Sequence, residues 1–111
     1  MNKSYDIKSF KNKEEAEELL KKSRKRIDEI DNDVFNLISQ RTSLAKDIAL
    51  CKDYIGMPIW DKSREDVIHK KVEKFAEENG LDVDIANQIV DLLTILNKNA
   101  QKEILRRNAD G

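Results

Sequence analysis

The chain has 111 residues, of which 39% are charged and only 5% are aromatic, with three glycines and one proline. This composition favours one helical domain and leaves few turn-forming residues for a sheet. The 21 basic and 22 acidic residues nearly cancel, which argues against nucleic acid or an acidic membrane surface as a partner. A single cysteine excludes an internal disulfide, and the reducing cytoplasm is the expected location.

The first predicted helix is long for a chain of this size. It begins at Asn12, where Glu15 fits a capping box, and its periodicity continues to about Asp53, before Gly56 and Pro58. About 40 residues of helix span roughly 60 Å, whereas a compact globule of this length has a radius of gyration of about 13 Å. The helix therefore cannot bury its apolar face against its own chain, and a two-fold dimer is the simplest expectation.

One face of this helix carries cations among aliphatic side chains. The positions at helical spacing are Leu20, Arg24, Ile27, Ile30, Val34, Leu37, Arg41, Leu44, Ile48 and Lys52. Such a stripe is typical of a buried face, but a buried cation is costly unless it is paired. Arg24, Arg41 and Lys52 therefore predict negative charge nearby, from acidic side chains or from an anionic ligand. The alternative is a coiled coil in which the aliphatic stems pack and the charges reach solvent.

Two shorter helices follow. Asp61 is the candidate N-cap of the second helix, which ends at Gly80. Asp82 can cap the third helix, which is expected to reach about Arg107 and to leave residues 108–111 as a frayed tail. The predicted fold is all-α, with three helices, one of them very long, in an intertwined homodimeric helical bundle.

Polar residues also occupy helical faces that are otherwise apolar. Asn97 and Gln101 lie one turn apart on the third helix, and amides in a core require hydrogen-bond partners. Asp61, Arg64 and Glu65 share one face at the start of the second helix. Neighbouring helices could satisfy the amides, and a cap with solvated charges would account for the second group. The alternative is that both groups belong to one binding site.

Helix geometry can connect the cations into such a site. Arg41 and Lys52 are about 16 Å apart along one helix, so their side chains could hold opposite ends of a compact dianion. Arg24 lies about 25 Å further back and cannot reach that ligand from its own chain. In an antiparallel dimer, the partner's Arg24 could complete the site. The expectation is two symmetry-related pockets lined by cations and amides.

The order and spacing of these residues form a specific pattern. Its parts are Arg24-Lys25-Arg26-Ile27-Asp28-Glu29-Ile30-Asp31, Arg41, Lys52, Pro58-Ile59, Asp61, Arg64-Glu65, Asn97 and Gln101. The pattern resembles the all-α class of chorismate mutase, without a gap across residues 20–105. The resemblance implies a chorismate mutase-like helical domain over residues 17–108, preceded by a charged N-terminal extension over residues 1–16.

The reaction implied by the resemblance is the Claisen rearrangement of chorismate to prephenate, in phenylalanine and tyrosine biosynthesis. It is an isomerase reaction that requires neither a cofactor nor a metal. The resemblance assigns the substrate carboxylates to Arg41 and Arg64, with Arg24 contributed by the other subunit of a homodimer. Asn97 would also meet a carboxylate, at a position where some family members have serine. The only histidine, His69, is expected on the surface of the second helix.

The resemblance also assigns the groups around the breaking bond. Lys52 would bind both a carboxylate and the ether oxygen of that bond, and Gln101 would meet the same oxygen from the opposite side. Asp61 and Glu65 would hold the substrate hydroxyl. The residues implied in catalysis are therefore Lys52, Gln101, Arg64 and Glu65.

Two other functions fit the same residues. An isochorismate pyruvate-lyase shares the helical fold and most of the cationic pocket. A non-catalytic helical dimer could instead act as a regulatory or docking module for a shikimate-pathway enzyme. Docking in addition to catalysis would use the N-terminal extension as its surface.

Overall fold

Four helical segments make up most of the chain in the computed structural model, which describes residues 9–110. The helices are α1 (Lys13–Ser43), α2 (Ala45–Ile55), α3 (Lys62–Asn79) and α4 (Val83–Asp110). No strand occurs between residues 9 and 110, so the all-α expectation is confirmed for this range. Over the same residues, none of the helices has the length and apolar character that crossing a membrane requires. Residues 1–8 of the expected N-terminal extension lie outside the described residues.

Short polar side chains begin the helices at the expected positions. Oδ1 of Asn12, of Asp61 and of Asp82 each accepts the backbone N–H of the third following residue, at 2.9, 3.1 and 2.9 Å. These bonds satisfy backbone donors that the first helical turn leaves unpaired. Gly56 and Gly80 follow α2 and α3 with φ of 78° and 68°, a left-handed conformation that glycine adopts without steric strain. The predicted caps at these five residues are confirmed, and for the capping box at Asn12 the structure shows the bond to the Asn12 side chain.

A single residue, Leu44, separates α1 from α2. It keeps φ of −70° and ψ of −13°. Its N–H donates to the Arg41 carbonyl at 3.3 Å, and its own carbonyl accepts from Ile48 at 3.1 Å. The separation is therefore one tighter turn with a bond to the third preceding residue. The expected long helix is divided here, and the three-helix prediction holds only when α1 and α2 are counted as one helix.

The end of α4 comes later than expected. Residues 108–110 are helical, so the prediction of a frayed tail is wrong for these three positions. Arg106 stabilises this last turn, because Nη1 donates to Asp110 at 3.1 Å and Nη2 donates to Glu103 at 2.6 Å. Opposite charges three and four residues apart lie on the same helical face. The prediction depended on the spacing of apolar residues, which gives no information about ion pairs between charged residues.

Small side chains form the core of the compact unit that contains Gln40–Gly111. In this unit α4 packs against both α2 and α3. The buried apolar residues are Ala45, Ala49, Ala76, Ala86 and Val90. Small side chains at these contacts allow helix axes to approach closely. Several larger aliphatic residues of α4 remain exposed, among them Ile85, Ile89, Leu92 and Leu96.

A second compact unit, Ser4–Ser39, contains most of α1. No residue of α1 is buried. The aliphatic residues of its stripe, which are Leu20, Ile27, Ile30, Val34 and Leu37, are between 42% and 61% exposed. Full burial of one such side chain contributes about 1.5–3 kcal/mol. In the described chain these exposed side chains therefore contribute little of the stabilisation that burial would give.

His69 joins α3 to α4 through both ring nitrogens. Nδ1 lies 2.8 Å from Oδ1 of Asn87, and Nε2 lies 2.9 Å from Oδ1 of Asp91. Because Asn87 donates its Nδ2 to Glu73 at 2.8 Å, its oxygen faces the histidine as an acceptor. Two acceptors require two N–H donors, which only the imidazolium form provides. The prediction of a surface histidine holds only in part, since the side chain is 25% exposed but bridges two helices.

We expect the free energy of unfolding to fall as pH rises through neutrality. The pKa of His69 is raised above 6.5, chiefly by the hydrogen bond to Asn87. The charge and hydrogen bond of Asp91 and the charge of Glu73 also raise this pKa, while partial burial lowers it. Stabilisation from a raised pKa is complete below the unfolded-state pKa and is lost as pH rises through the folded-state pKa. Urea unfolding at about pH 6 and about pH 8 measures this difference.

The matched control for that measurement is His69→Gln, because glutamine is polar but does not titrate. His69 is the only histidine of the chain, so the variant should lose most of the difference between the two pH values. An equal decrease of stability in both proteins would contradict the assignment.

Candidate functional site

A pocket in the unit that contains Gln40–Gly111 is lined by the end of α1 and by α2, α3 and α4. It consists of two adjoining cavities of about 70 and 370 Å³. The residues that line both cavities are Arg41, Lys52, Asp61, Arg64, Ile68, Asn97 and Gln101. The smaller cavity adds Ile59, Glu65, Thr94 and Lys98, and the larger one adds Leu44 and Ile48. Charged and amide groups with a few aliphatic walls suit a small polar anion.

The structure brings together most of the residues singled out in the sequence. Those that line the pocket are Arg41, Lys52, Asp61, Arg64, Glu65, Asn97 and Gln101. Arg24 is not among the lining residues; it is exposed on α1, in the unit Ser4–Ser39. Segments that are distant in the sequence therefore contribute to one cavity, and Arg24 of the same chain does not.

Backbone carbonyls hold two of the pocket cations in place. Nη1 of Arg41 donates to the Leu93 carbonyl at 3.3 Å, and Nζ of Lys52 donates to the Ile59 carbonyl at 2.7 Å. Each cation has further N–H groups beyond the one in this bond. Because a carbonyl is neutral, it does not offset the positive charge of the cation as a carboxylate would. The pocket therefore contains oriented positive charge that can act on an anion.

Asp61 serves α3 as its N-cap and also lines the pocket. The backbone N–H of Arg64 and the hydroxyl of Ser63 both donate to its Oδ1, at 3.1 Å each. Both bonds lower the pKa of Asp61 below its usual value, and the bond from the Arg64 backbone has the larger effect. The charges of Lys52 and Arg64 act in the same direction. Asp61 is therefore ionised at neutral pH. The interpretation of Asp61 as a cap and its position in the pocket are compatible.

Gln101 is the buried polar residue of this pocket. It is 3% exposed, and its Nε2 donates to Oδ1 of Asn97. The two amides therefore satisfy each other in part within α4, whereas the structural interpretation of the sequence expected partners on neighbouring helices. Among the described residues, however, Oε1 of Gln101 has no hydrogen-bond partner. An unpaired buried acceptor destabilises the folded state by about 1–3 kcal/mol. The packing of the helices does not account for this unpaired oxygen of Gln101.

Sequence reasoning missed two polar residues of the pocket, Thr94 and Lys98. The Nζ atom of Lys98 lies 3.4 Å from Oε2 of the Glu65 carboxylate. The signal was present in the sequence, because positions 94, 98 and 101 have helical spacing and share a face with the amides. It was obscured because lysines are numerous in this chain and most of them are solvated.

Comparison with known proteins finds two matches over most of the chain. Residues 23–108 match the model of the family described as chorismate mutase type II. The chain is also similar to a chorismate mutase from Methanocaldococcus jannaschii, with 43% identity over 88 residues. The alignment covers 79% of this chain and 89% of that relative. The family range includes every residue that lines the smaller cavity, from Arg41 to Gln101.

Proposed function

This chain belongs to the chorismate mutase type II family, and we propose that the pocket described above carries out its reaction. The reaction is the rearrangement of chorismate to prephenate, so the enzyme is an isomerase of aromatic amino acid biosynthesis. Within one molecule, a C–O ether bond breaks while a C–C bond forms. No group passes to the protein, and the side chains act by binding, orienting and stabilising.

The observation that carries the proposal is the convergence of four cations and a buried amide on one cavity. Chorismate has two carboxylates, which Arg41 and Arg64 bind. A guanidinium presents a planar fork that matches a carboxylate, and the bond from Arg41 to the Leu93 carbonyl fixes its orientation. Asn97 adds an amide donor. Holding both carboxylates selects the compact conformer in which the reacting carbons are close.

Lys52 and Gln101 act on the ether oxygen, where negative charge develops as the C–O bond breaks. Lys52 is already oriented by the Ile59 carbonyl. If the amides of Gln101 and Asn97 both turn by 180°, Asn97 donates to Oε1 and Nε2 of Gln101 replaces the unpaired oxygen. The exchange would remove an unsatisfied acceptor and supply a donor. Donors in place before the charge develops stabilise the transition state more than the substrate.

Asp61 and Glu65 hold the substrate hydroxyl in this proposal. Both are carboxylates at the start of α3, and both line the smaller cavity. The low pKa of Asp61 keeps it an acceptor at neutral pH. A hydroxyl held at this end orients the ring relative to the two carboxylate contacts.

A second copy of the chain completes the pocket in this proposal. Two α1 helices pair antiparallel about a two-fold axis and bury their exposed aliphatic stripes against each other. The partner's Arg24 then reaches the pocket and contacts a carboxylate. The exposure of the stripe supports this arrangement, because no residue of α1 is buried among the described residues.

The limits of the domain and its location are part of the same proposal. The catalytic domain spans residues 17–108, and the family match over residues 23–108 lies within it. The charged extension over residues 1–16 is a candidate docking surface for another enzyme. The single cysteine is in keeping with a cytoplasmic protein.

Product identification tests the proposal. The purified chain is incubated with chorismate and, separately, with isochorismate, and the products are identified by NMR. Prephenate formed from chorismate at a saturable rate is the expected result. Salicylate and pyruvate from isochorismate alone would contradict it and favour a lyase. Consumption of neither substrate would leave the pocket as a binding site without catalysis.

A further inference from the structure

Lys98 is a pocket cation to which the resemblance gives no role. It lies on α4 beside Asn97 and three residues before Gln101. Its side chain is 28% exposed, and that of Glu65, its partner on α3, is 24% exposed. Both side chains line the smaller cavity. The ion pair is therefore part of the wall of the site.

The position of this pair distinguishes it from most other ion pairs of the described residues. Between residues 9 and 110, six ion pairs join residues of one helix at spacings of three or four, and the contact between His69 and Asp91 joins α3 to α4 away from the pocket lining. The Lys98–Glu65 pair joins α4 to α3 across the cavity wall. Solvent screens an exposed pair within one helix, but it screens this partly covered pair less.

The charge of the pocket gives the pair a second consequence. Its lining contains four cations, Arg41, Lys52, Arg64 and Lys98, and two carboxylates, Asp61 and Glu65. Within one subunit the lining therefore has an excess of two positive charges, to which the partner's Arg24 adds one in the proposed dimer. Without Lys98 the excess would fall by one, and the Glu65 charge would face the dianion without its neighbouring cation. A carboxylate near an anionic ligand requires such compensation.

We propose that Lys98 is a positioning residue that holds the Glu65 carboxylate in place to accept the substrate hydroxyl. Lys98 contacts Oε2 of Glu65, which leaves Oε1 to accept the hydrogen of the hydroxyl. The same contact offsets the repulsion between Glu65 and the substrate carboxylates. This inference depends on the proposed function, and in particular on the role of Glu65.

Lys98→Met tests the inference, with Lys102→Met as the matched control. Methionine keeps the unbranched stem and removes the charge, and Lys102 is exposed on the same helix. A hydroxyl contact is made equally in the substrate and in the transition state, so its loss raises KM more than it lowers kcat. We expect KM for chorismate to rise about tenfold in Lys98→Met with kcat within about threefold, and no comparable change in Lys102→Met.

A substrate analogue separates positioning of Glu65 from a general effect of charge. The probe is the chorismate analogue in which hydrogen replaces the ring hydroxyl, and its inhibition constant is measured against chorismate. If Lys98 acts through the hydroxyl contact, Lys98→Met raises the inhibition constant of the analogue by about threefold or less. An equal loss for chorismate and for the analogue would overturn the proposal.

One further variant and a thermal measurement keep the inference distinct from folding and from the proposed function. Lys98→Arg should restore KM to within about threefold of the wild type, and the thermal midpoints of all variants should agree. Wild-type KM in Lys98→Met, in a protein that still forms prephenate, would overturn this inference alone. A wild-type chain that does not convert chorismate would overturn the proposed function instead.

Discussion

Replacing Lys52 by alanine is expected to lower kcat/KM for chorismate by about 10³-fold or more. Lys52 is the cation proposed to meet the ether oxygen, and removal of one preorganised donor at a developing charge costs about 10² to 10³ in rate. Its contact with a substrate carboxylate adds a loss of affinity. The Ile59 carbonyl holds the ammonium at 2.7 Å, so the donor is placed before the substrate arrives. Steady-state formation of prephenate measures the effect.

Lys46→Ala is the matched control for Lys52→Ala. Lys46 lies on the same helix, α2, and is exposed outside the pocket lining. The control should retain activity to within about twofold of the wild type, as surface substitutions usually do. Comparable activity in the two variants would remove Lys52 from the reacting centre.

Arg24→Ala is expected to lower kcat/KM by about 10² to 10³-fold, although Arg24 does not line the pocket of its own chain. In the proposed dimer, the partner's Arg24 pairs with a substrate carboxylate in a covered site. Truncating one member of such a pair costs about 2–5 kcal/mol, and about 1.4 kcal/mol corresponds to a factor of ten. The same steady-state assay measures the loss.

Lys25→Ala provides the comparison for Arg24→Ala, because Lys25 is the next residue on α1 and lies off the aliphatic stripe. It should retain nearly full activity. Sedimentation of both variants shows whether a dimer remains. Full activity in Arg24→Ala would contradict the composite pocket, whereas loss of the dimer together with activity would still place α1 in the interface.

The parts of the fold that follow local rules could be predicted from the sequence. Asn12, Asp61 and Asp82 begin helices because each side chain bonds a backbone N–H three residues later. Gly56 and Gly80 end helices because they adopt positive φ. Such interactions lie within one turn, so residue type and spacing are sufficient to locate them.

Interactions between helices could not be predicted in the same way. His69 and Lys98 resemble surface residues in the sequence, and each meets its acidic partner only because α3 packs against α4. Leu44 is an ordinary member of the aliphatic stripe, and nothing in its spacing indicates the tighter turn after Arg41. These features depend on the register of packed helices, which periodicity leaves open.

The candidate site lies between these cases. Arg41 and Lys52 could be identified because a cation on an aliphatic stripe is anomalous. Gln101 could be identified because an amide on an apolar face is also anomalous. Their roles came from the order of residues shared with a family, since spacing alone does not identify a substrate. Lys98 was missed because a lysine beside an amide on a highly charged helix is not anomalous.

Mixing two inactive variants tests the composite pocket most directly. When Arg24→Ala and Lys52→Ala subunits are mixed and allowed to exchange, each mixed dimer has one pocket with both defects and one with neither. Random exchange makes half of the dimers mixed. Activity should therefore recover to about one quarter of the wild type. If the mixture is no more active than the two variants measured separately, Arg24 does not act across the dimer and the proposed site is contradicted.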